Sequence, residues 1–346
     1  MIVIITGAIK NTGDYLIASR AKDLLQSYID TEITELNRFH SLKLNLPLIN
    51  KSKALILCGG PAYTSDIFDG IYNISSFYDE IRVPVIPFGL GWCGRPYPRF
   101  QEFKFSTLSL DILKKMHLNI PYSSCRDVIT KQILENNGIK NVNMTGCPVW
   151  FDQKYIDQDF KYPEKVKRIV VTAPASQNLA FQTIGLLDLI RSKFKQAQLY
   201  LSFHRGIFPG LSTPPRKGIA YMLEALAGKI KGYKIKDVSG SLNNISFYND
   251  CDLHIGYRVH AHLLFLSKRK PSYLINEDGR GYAFSQSLEF QNFDSYDKNM
   301  LHSLQTTIDH DIENNYKSFE NTVSVIDETF HQNMAEFLYT IKKITN

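Results

Sequence analysis

Short apolar runs alternate along this chain with segments whose apolar residues recur every three or four positions. Residues 2–6 form a continuous apolar run of strand length. They lead through Gly7-Ala-Ile-Lys-Asn-Thr-Gly-Asp14 into a segment where Ile17, Ala21, Leu24, Leu25 and Tyr28 share one helical face. Further strands are predicted at 54–58, 83–87, 122–125 and 142–145. Helices are predicted between them, for example at 106–116 and 127–136, the latter stopped by Gly138. Strand and helix in repeated succession predict βαβ units and a mostly parallel sheet.

A polar, charged stretch at 152–167 interrupts the pattern and reads as a linker. The alternation then restarts, with strands at 168–172, 199–203, 233–237, 252–256 and 272–275 and helices at 178–194, 218–231 and 258–267. Two successive α/β units suggest two Rossmann-like domains facing each other across a cleft, residues 1–155 and 165–310. In the remaining segment, 311–346, Val323, Ile326, Phe330, Met334, Phe337, Ile341 and Ile344 fall at spacings of three and four. This predicts a long amphipathic helix that packs back onto the domains.

Composition narrows the function classes. The chain has 346 residues, 44% hydrophobic and 21% charged, which is ample apolar material for two globular cores and excludes a disordered chain. Lys and Arg total 40 against 34 Asp and Glu, a formal +6. That excess suits an anionic substrate but falls short of a dedicated nucleic-acid binder. The longest charge-free stretch, 169–187, is broken by Thr172, Pro174, Ser176, Gln177 and Asn178, so no membrane span is expected. The first apolar run is too short for a secretory leader. Five scattered cysteines without a CxxC pair read as reduced thiols of a cytoplasmic protein. Peripheral contact with the inner face of a membrane remains open.

In parallel α/β domains, ligands sit where strands end and helices begin. Asn11-Thr-Gly-Asp14 is such a junction, with Asp14 as an acceptor or base. Cys58-Gly59-Gly60-Pro61 and Gly89-Leu-Gly91 follow apolar strands, and their glycines would let backbone approach a ligand. Neither makes a dinucleotide fingerprint or a P-loop, so NAD and ATP are not indicated. The strongest junction is Asp252-Leu-His-Ile-Gly-Tyr-Arg258-Val-His260, which places an anion-binding Arg and a proton-transferring His in the first turn of a helix. Arg126-Asp127 and His204-Arg205 are further anion-site candidates, with Arg216-Lys217 close behind the latter. His254, His260 and His262 lack a metal-ligand spacing, and no metal is expected. Trp92, Tyr97 and Tyr282 are aromatics that could stack on a sugar.

Taken together, Asn11-x-Gly13-Asp14, Gly59-Gly60, Gly89-x-Gly91, Ser124-Cys-Arg126-Asp127, Val142-Asn-Met-Thr-Gly146-Cys-Pro148 and Arg258-Val-His260-Ala resemble the polysaccharide pyruvyl transferase family, over residues 1–290. The sequence departs from the family at Pro61, where many members have a third Gly, and at Cys147, where an Asp is common. The resemblance implies a GT-B-like architecture and transfer of the pyruvyl group of phosphoenolpyruvate to two hydroxyls of a sugar, forming a cyclic ketal and releasing phosphate. It implies phosphoenolpyruvate as co-substrate, a glycan or lipid-linked oligosaccharide as acceptor, and no cofactor, metal or nucleic acid. On this reading His260 and Asp14 are the catalytic acid and base. Arg258, Arg126, Gly59, Gly60, His204 and Arg205 bind the donor, and Asn11, Trp92 and Tyr97 the acceptor. Two other readings stay open. One is a GT-B-like glycosyltransferase using a nucleotide sugar, with Glu277 and Asp278 as candidate ribose ligands. The other is a non-catalytic glycan-binding protein on the same scaffold.

Overall fold

Runs of Ile, Val and Leu at the starts of the βαβ units are buried on both faces, as strands in the middle of a parallel sheet must be. In the computed structural model, which describes residues 1–92, 94, 99–208 and 215–346, they build two six-stranded sheets. The first holds β1 (Ile2–Thr6), β2 (Ile33–Asn37), β3 (Leu55–Tyr63), β4 (Val85–Trp92), β5 (Ser123–Cys125) and β6 (Val142–Met144), in the order β2-β1-β3-β4-β5-β6. The second holds β7 (Arg168–Thr172), β8 (Gln198–Phe203), β9 (Lys234–Asp237), β10 (Leu253–Gly256), β11 (Ser272–Asn276) and β12 (Phe293–Asp294), in the order β12-β11-β10-β7-β8-β9. Every pairing is parallel.

The helices are α1 (Thr12–Tyr28), α2 (Leu46–Lys51), α3 (Thr107–Leu118), α4 (Val128–Asn136), α5 (Ala180–Lys193), α6 (Pro215–Ile230), α7 (Val259–Ser267), α8 (Gly279–Leu288), α9 (Met300–Glu313), α10 (Ser318–Thr329) and α11 (Ala335–Thr345). Ser106 caps α3 by accepting from the Ser109 amide, and Asp127 caps α4 by accepting from Thr130 at 2.6 Å. Such caps each stabilise a helix by about 1 kcal/mol. The fold is α/β, two Rossmann-like domains in a GT-B-like arrangement.

Sheet order locates the ligand-binding edge. The order in which strands are added reverses once in each sheet, between β1 and β3 in the first and between β7 and β10 in the second. Crevices at such switch points, beyond the strand C-termini, are where open α/β sheets bind ligands. The junctions after β1 and β10 therefore carry Asn11–Asp14 and Arg258–His260 to the crevice.

Three expectations need adjustment. β2 was not anticipated: ITELN is polar at alternate positions and only half-buried, because it is an edge strand. β3 and β4 run on past their expected ends, pairing Cys58 with Phe88 and Gly60 with Leu90, so the glycines expected in loops lie within strands. The C-terminal helix is interrupted by a π-helical turn, Phe330–Met334, between α10 and α11. Phe337 of α11 packs on Phe88 and Tyr122 with ring centroids 5.4 and 6.0 Å apart, so the C-terminus returns to the first sheet. The stretch 152–167 has no regular structure, yet it is pinned. Asp152 pairs with Arg20 at 2.5 Å, and Phe160 stacks on Phe319. No described helix is long and apolar enough to cross a membrane.

Candidate active site

The N-terminus of α1 is held against the second domain by its first residues. The Thr12 amide donates to the His204 carbonyl at 3.2 Å, and the Thr12 hydroxyl donates to the Val238 carbonyl. Asn11 accepts from the Arg258 guanidinium at 2.9 Å. Gly13 faces the imidazole of His260, so closely that a Cβ there would come within 2.6 Å of Nδ1. The first turn of α1 and the first turn of α7 thus share one junction. The sequence permits this because residue 13 has no side chain and Gly256, with φ near 143°, turns the chain sharply after β10.

His260 and Arg258 are both nearly buried at that junction. Nε2 of His260 is enclosed without a hydrogen-bond partner. Burial first, then the positive guanidinium groups of Arg280, Arg126 and Arg258, hold the imidazole well below its usual pKa, so the ring is neutral with the site empty of anions. Asp14 is half-buried. Burial raises its carboxyl above the usual range, opposed by a hydrogen bond from Asn11 and by Arg38, Arg205 and Arg258. A cleft of about 460 Å³ opens beside this group, lined by Asn11, Asp14, Lys10, Arg38, Arg205, Lys217 and Tyr221 among others. Four cations and one carboxylate around that volume suit a ligand with more than one negative charge.

Of the residues singled out in sequence, the structure brings Asn11, Asp14, Arg205, Arg258 and His260 together. The others stand differently. Arg126 is fully buried. Its Nε donates to Asp127 at 3.1 Å, one terminal nitrogen donates to the Trp92 carbonyl at 2.5 Å, and its plane lies over Phe284. Only Nη1 is without a partner, so most of this guanidinium supports the fold. The His204 ring turns inward and its Nε2 meets the Tyr248 hydroxyl at 2.8 Å; it is the backbone of this residue, not the ring, that serves α1. Gly59 faces Ile17 of α1, where a Cβ would overlap the side chain, while a Cβ at Gly60 would only touch Ile17 at 4.0 Å. Their positive φ values of 53° and 83°, and for Gly59 the close packing as well, explain the glycines without a donor. Trp92 is buried, packed edge-on to Phe103 and covered by Gly94 and Gly279, so no ring face is offered to a sugar. Tyr97 lies outside the described residues.

The two histidines that flank His260 in this segment are structural. His254 bonds Thr172 and Ser272, and His262 bonds the same Ser272. Among the described residues no group of three or more His, Cys, Asp or Glu stands close enough to hold a metal ion. Cys147, where the family often has an acid, is buried and its thiol is pushed up to about 11, chiefly by burial.

Sequence reasoning missed Arg38 and Lys10. Arg38 follows the unrecognised β2, and its guanidinium lies over Gly7; had that edge strand been identified, a cation at its C-terminal end would have been an obvious candidate. Glu224 of α6 was also missed. It is fully buried, its carboxylate oxygens have no hydrogen-bond partner, and burial and then Glu277 push it up to about 8. A lone acid in a helix that also carries Arg216, Lys217 and Lys229 gives no signal in sequence that it points inward.

The architecture has solved counterparts. Staphylococcus aureus MnaA, solved with UDP, superposes with a TM-score of 0.60 at 14% identity, covering 100% of this chain and 98% of that one. The UDP-GlcNAc 2-epimerase of Neisseria meningitidis, bound to UDP-GlcNAc, gives 0.57 at 14% identity, with 98% and 100% covered. Anabaena HepE, in complex with UDP and glucose, gives 0.53 at 11% identity, with 97% and 98% covered. At these identities the likeness is one of fold. No curated protein sequence is significantly similar to this one. A family model for polysaccharide pyruvyl transferases matches residues 11–279, from the Asn11 that bonds Arg258 to the Gly279 that covers Trp92, and the chain belongs to that family.

Proposed function

We propose that this protein transfers the pyruvyl group of phosphoenolpyruvate to two hydroxyls of a sugar in a surface polysaccharide or its lipid-linked precursor. The observation that carries the reading is the enclosed His260 and its neighbour Arg258, the latter bonded to Asn11 in the wall of a cleft lined by cations. Phosphoenolpyruvate brings a carboxylate and a phosphate. Arg258 and Arg205 receive them, with Lys217 alongside; an Arg fork suits either group. Burial, and after it the guanidinium field, keeps His260 neutral; the donor's charge offsets that field and favours the protonated ring, so the ring takes up a proton as the donor binds.

Protonated His260 then gives its proton to the methylene carbon, which becomes the methyl group, and the neighbouring carbon gains positive character. A sugar hydroxyl adds to that carbon and passes its proton to Asp14. The carbon–oxygen bond to phosphate breaks, the second hydroxyl adds, and the ring closes as a ketal. One hydroxyl proton replaces the one spent on the methyl group and the other leaves with phosphate, so the protons balance. The cations and the N-terminus of α7 stabilise the departing phosphate. Because phosphoenolpyruvate is a cytoplasmic metabolite, the reaction belongs on that side of a membrane.

A nucleotide-sugar reading is less well supported. Glu277, the candidate for ribose, accepts from the amides of Ala175 and Ser176, and Asp278 caps α8 while pairing with Arg280. Both carboxylates are already committed. Phosphate release from phosphoenolpyruvate with an acceptor glycan, against nucleotide release from nucleotide sugars, separates the readings. Nucleotide release alone would overturn the proposal.

A further inference from the structure

α6 wears an apolar stripe on its outer side. Ile219, Met222, Leu223, Leu226 and Ile230 recur at helical spacing and are 58, 52, 49, 56 and 77% exposed. A helix that only covers a sheet turns such a stripe inward. Here the inward side is made instead by Ala220, Tyr221, Glu224 and Gly228, which lies against Leu201 and Ile235. α6 also packs against the turn Gln177–Leu179 that opens α5, where Phe181 is a further exposed ring.

The charges that α6 itself carries at its surface have one sign. The only carboxylate on α6 is Glu224, which is fully buried, so the charges at the surface of the helix are the exposed Arg216 and Lys229 and the half-buried Lys217. Lys231 follows and pairs with Asp188, the one acid on α5. An outward apolar face flanked by Lys and Arg is the pattern of a helix that lies in the headgroup layer of an anionic bilayer. A second copy of the chain fits less well, because a two-fold contact through α6 would set these cations against their own equivalents.

We propose that the outer face of α6 docks on an anionic lipid bilayer surface. Lys217 and Tyr221, on the same helix, line the cleft. Docking therefore holds the cleft opening beside the membrane, where a lipid-linked glycan would present its sugar. The docking stands on the helix surface alone and does not need the pyruvyl-transfer reading to hold.

Co-sedimentation of the full chain with vesicles tests it, with no donor or acceptor present. The chain should bind vesicles of mixed phosphatidylcholine and phosphatidylglycerol about tenfold more tightly than phosphatidylcholine alone, with binding weakened by salt. The double variant Leu223→Gln, Leu226→Gln should lose at least about tenfold in binding. The pair Arg216→Glu, Lys229→Glu should lose the preference for the anionic lipid. These positions are exposed, so unchanged melting temperatures and circular dichroism spectra are expected in both variants. Equal binding by wild type and the Leu variant would overturn the proposal. So would a dimer, seen by analytical ultracentrifugation, that the Leu variant dissociates while no form binds vesicles.

Discussion

The imidazole of His260 rests on Gly13, across the boundary between the two sheets. A Cβ at residue 13 would meet Nδ1 at 2.6 Å and Cγ at 3.2 Å. The glycine of the Asn-x-Gly-Asp motif is thus explained by a histidine almost 250 positions away in the chain. Gly13→Ala should push the ring from its place and lower turnover by about 10–100-fold, the scale on which small misplacements act. Donor affinity should change far less than turnover. Steady-state kinetics checks this; wild-type turnover would mean the ring has room to spare.

His260→Ala should reduce turnover by about 10²–10⁴-fold, the usual size of a general acid–base contribution, and leave the fold intact. The ring starts out depressed, by burial and three guanidiniums. Its pKa should therefore rise when phosphoenolpyruvate binds. Imidazole chemical shifts followed against pH, with and without the donor, would show an upward displacement. A displacement downward, or none, would remove the reason for assigning it the proton.

Arg258→Lys should weaken donor binding by about 1–3 kcal/mol, because an ammonium cannot hold both an anion and the Asn11 oxygen in the same plane. Calorimetric titration with phosphoenolpyruvate is the check.

Two other arginines should separate cleanly. Arg205 is exposed at the cleft, so Arg205→Ala should weaken donor binding and leave melting unchanged. Arg126 is buried, paired with Asp127 and bonded to the Trp92 carbonyl. Arg126→Ala should cost about 3–5 kcal/mol of stability, since it strands a buried carboxylate. Thermal melts of the two variants side by side decide this.

These two arginines also show where sequence stops informing. Both follow a strand, both precede or follow a plausible partner, and nothing in their spacing tells which guanidinium turns outward. Arg126 is drawn in because Gly91 leaves room for it, where a Cβ would overlap its side chain. The βαβ order and the Arg258–His260 junction were legible, since strand, tight turn and helix are local patterns. Trp92 reads as a sugar platform in sequence because one of its covering residues, Gly279, lies almost 190 positions away, and the fold of the neighbouring Gly94 back onto the ring leaves no local signal. Arg38 escaped because β2 is a polar edge strand.

Glu224 sets a pH dependence of stability. Its carboxyl is raised to about 8 in the fold, against an unfolded value near 4.5. The native state therefore holds a proton that the unfolded chain releases across that window, and stability falls as pH rises from about 4.5 to 8. Glu224→Gln, neutral at every pH, should flatten that decline and raise the melting temperature at pH 8 relative to wild type by several degrees, a few kcal/mol by linkage. Melting curves from pH 5 to 9 test it; parallel declines in both proteins would place the charge elsewhere.

The most direct measurement follows the carbon skeleton of the donor. Phosphoenolpyruvate labelled at its second carbon is incubated with the protein and an acceptor glycan, and the product is read by carbon and phosphorus NMR. The expected result is label in a quaternary ketal carbon on the glycan, inorganic phosphate in equal amount, and neither with His260→Ala. Label that stays in phosphoenolpyruvate while the same preparation releases UDP from a UDP-sugar would contradict it.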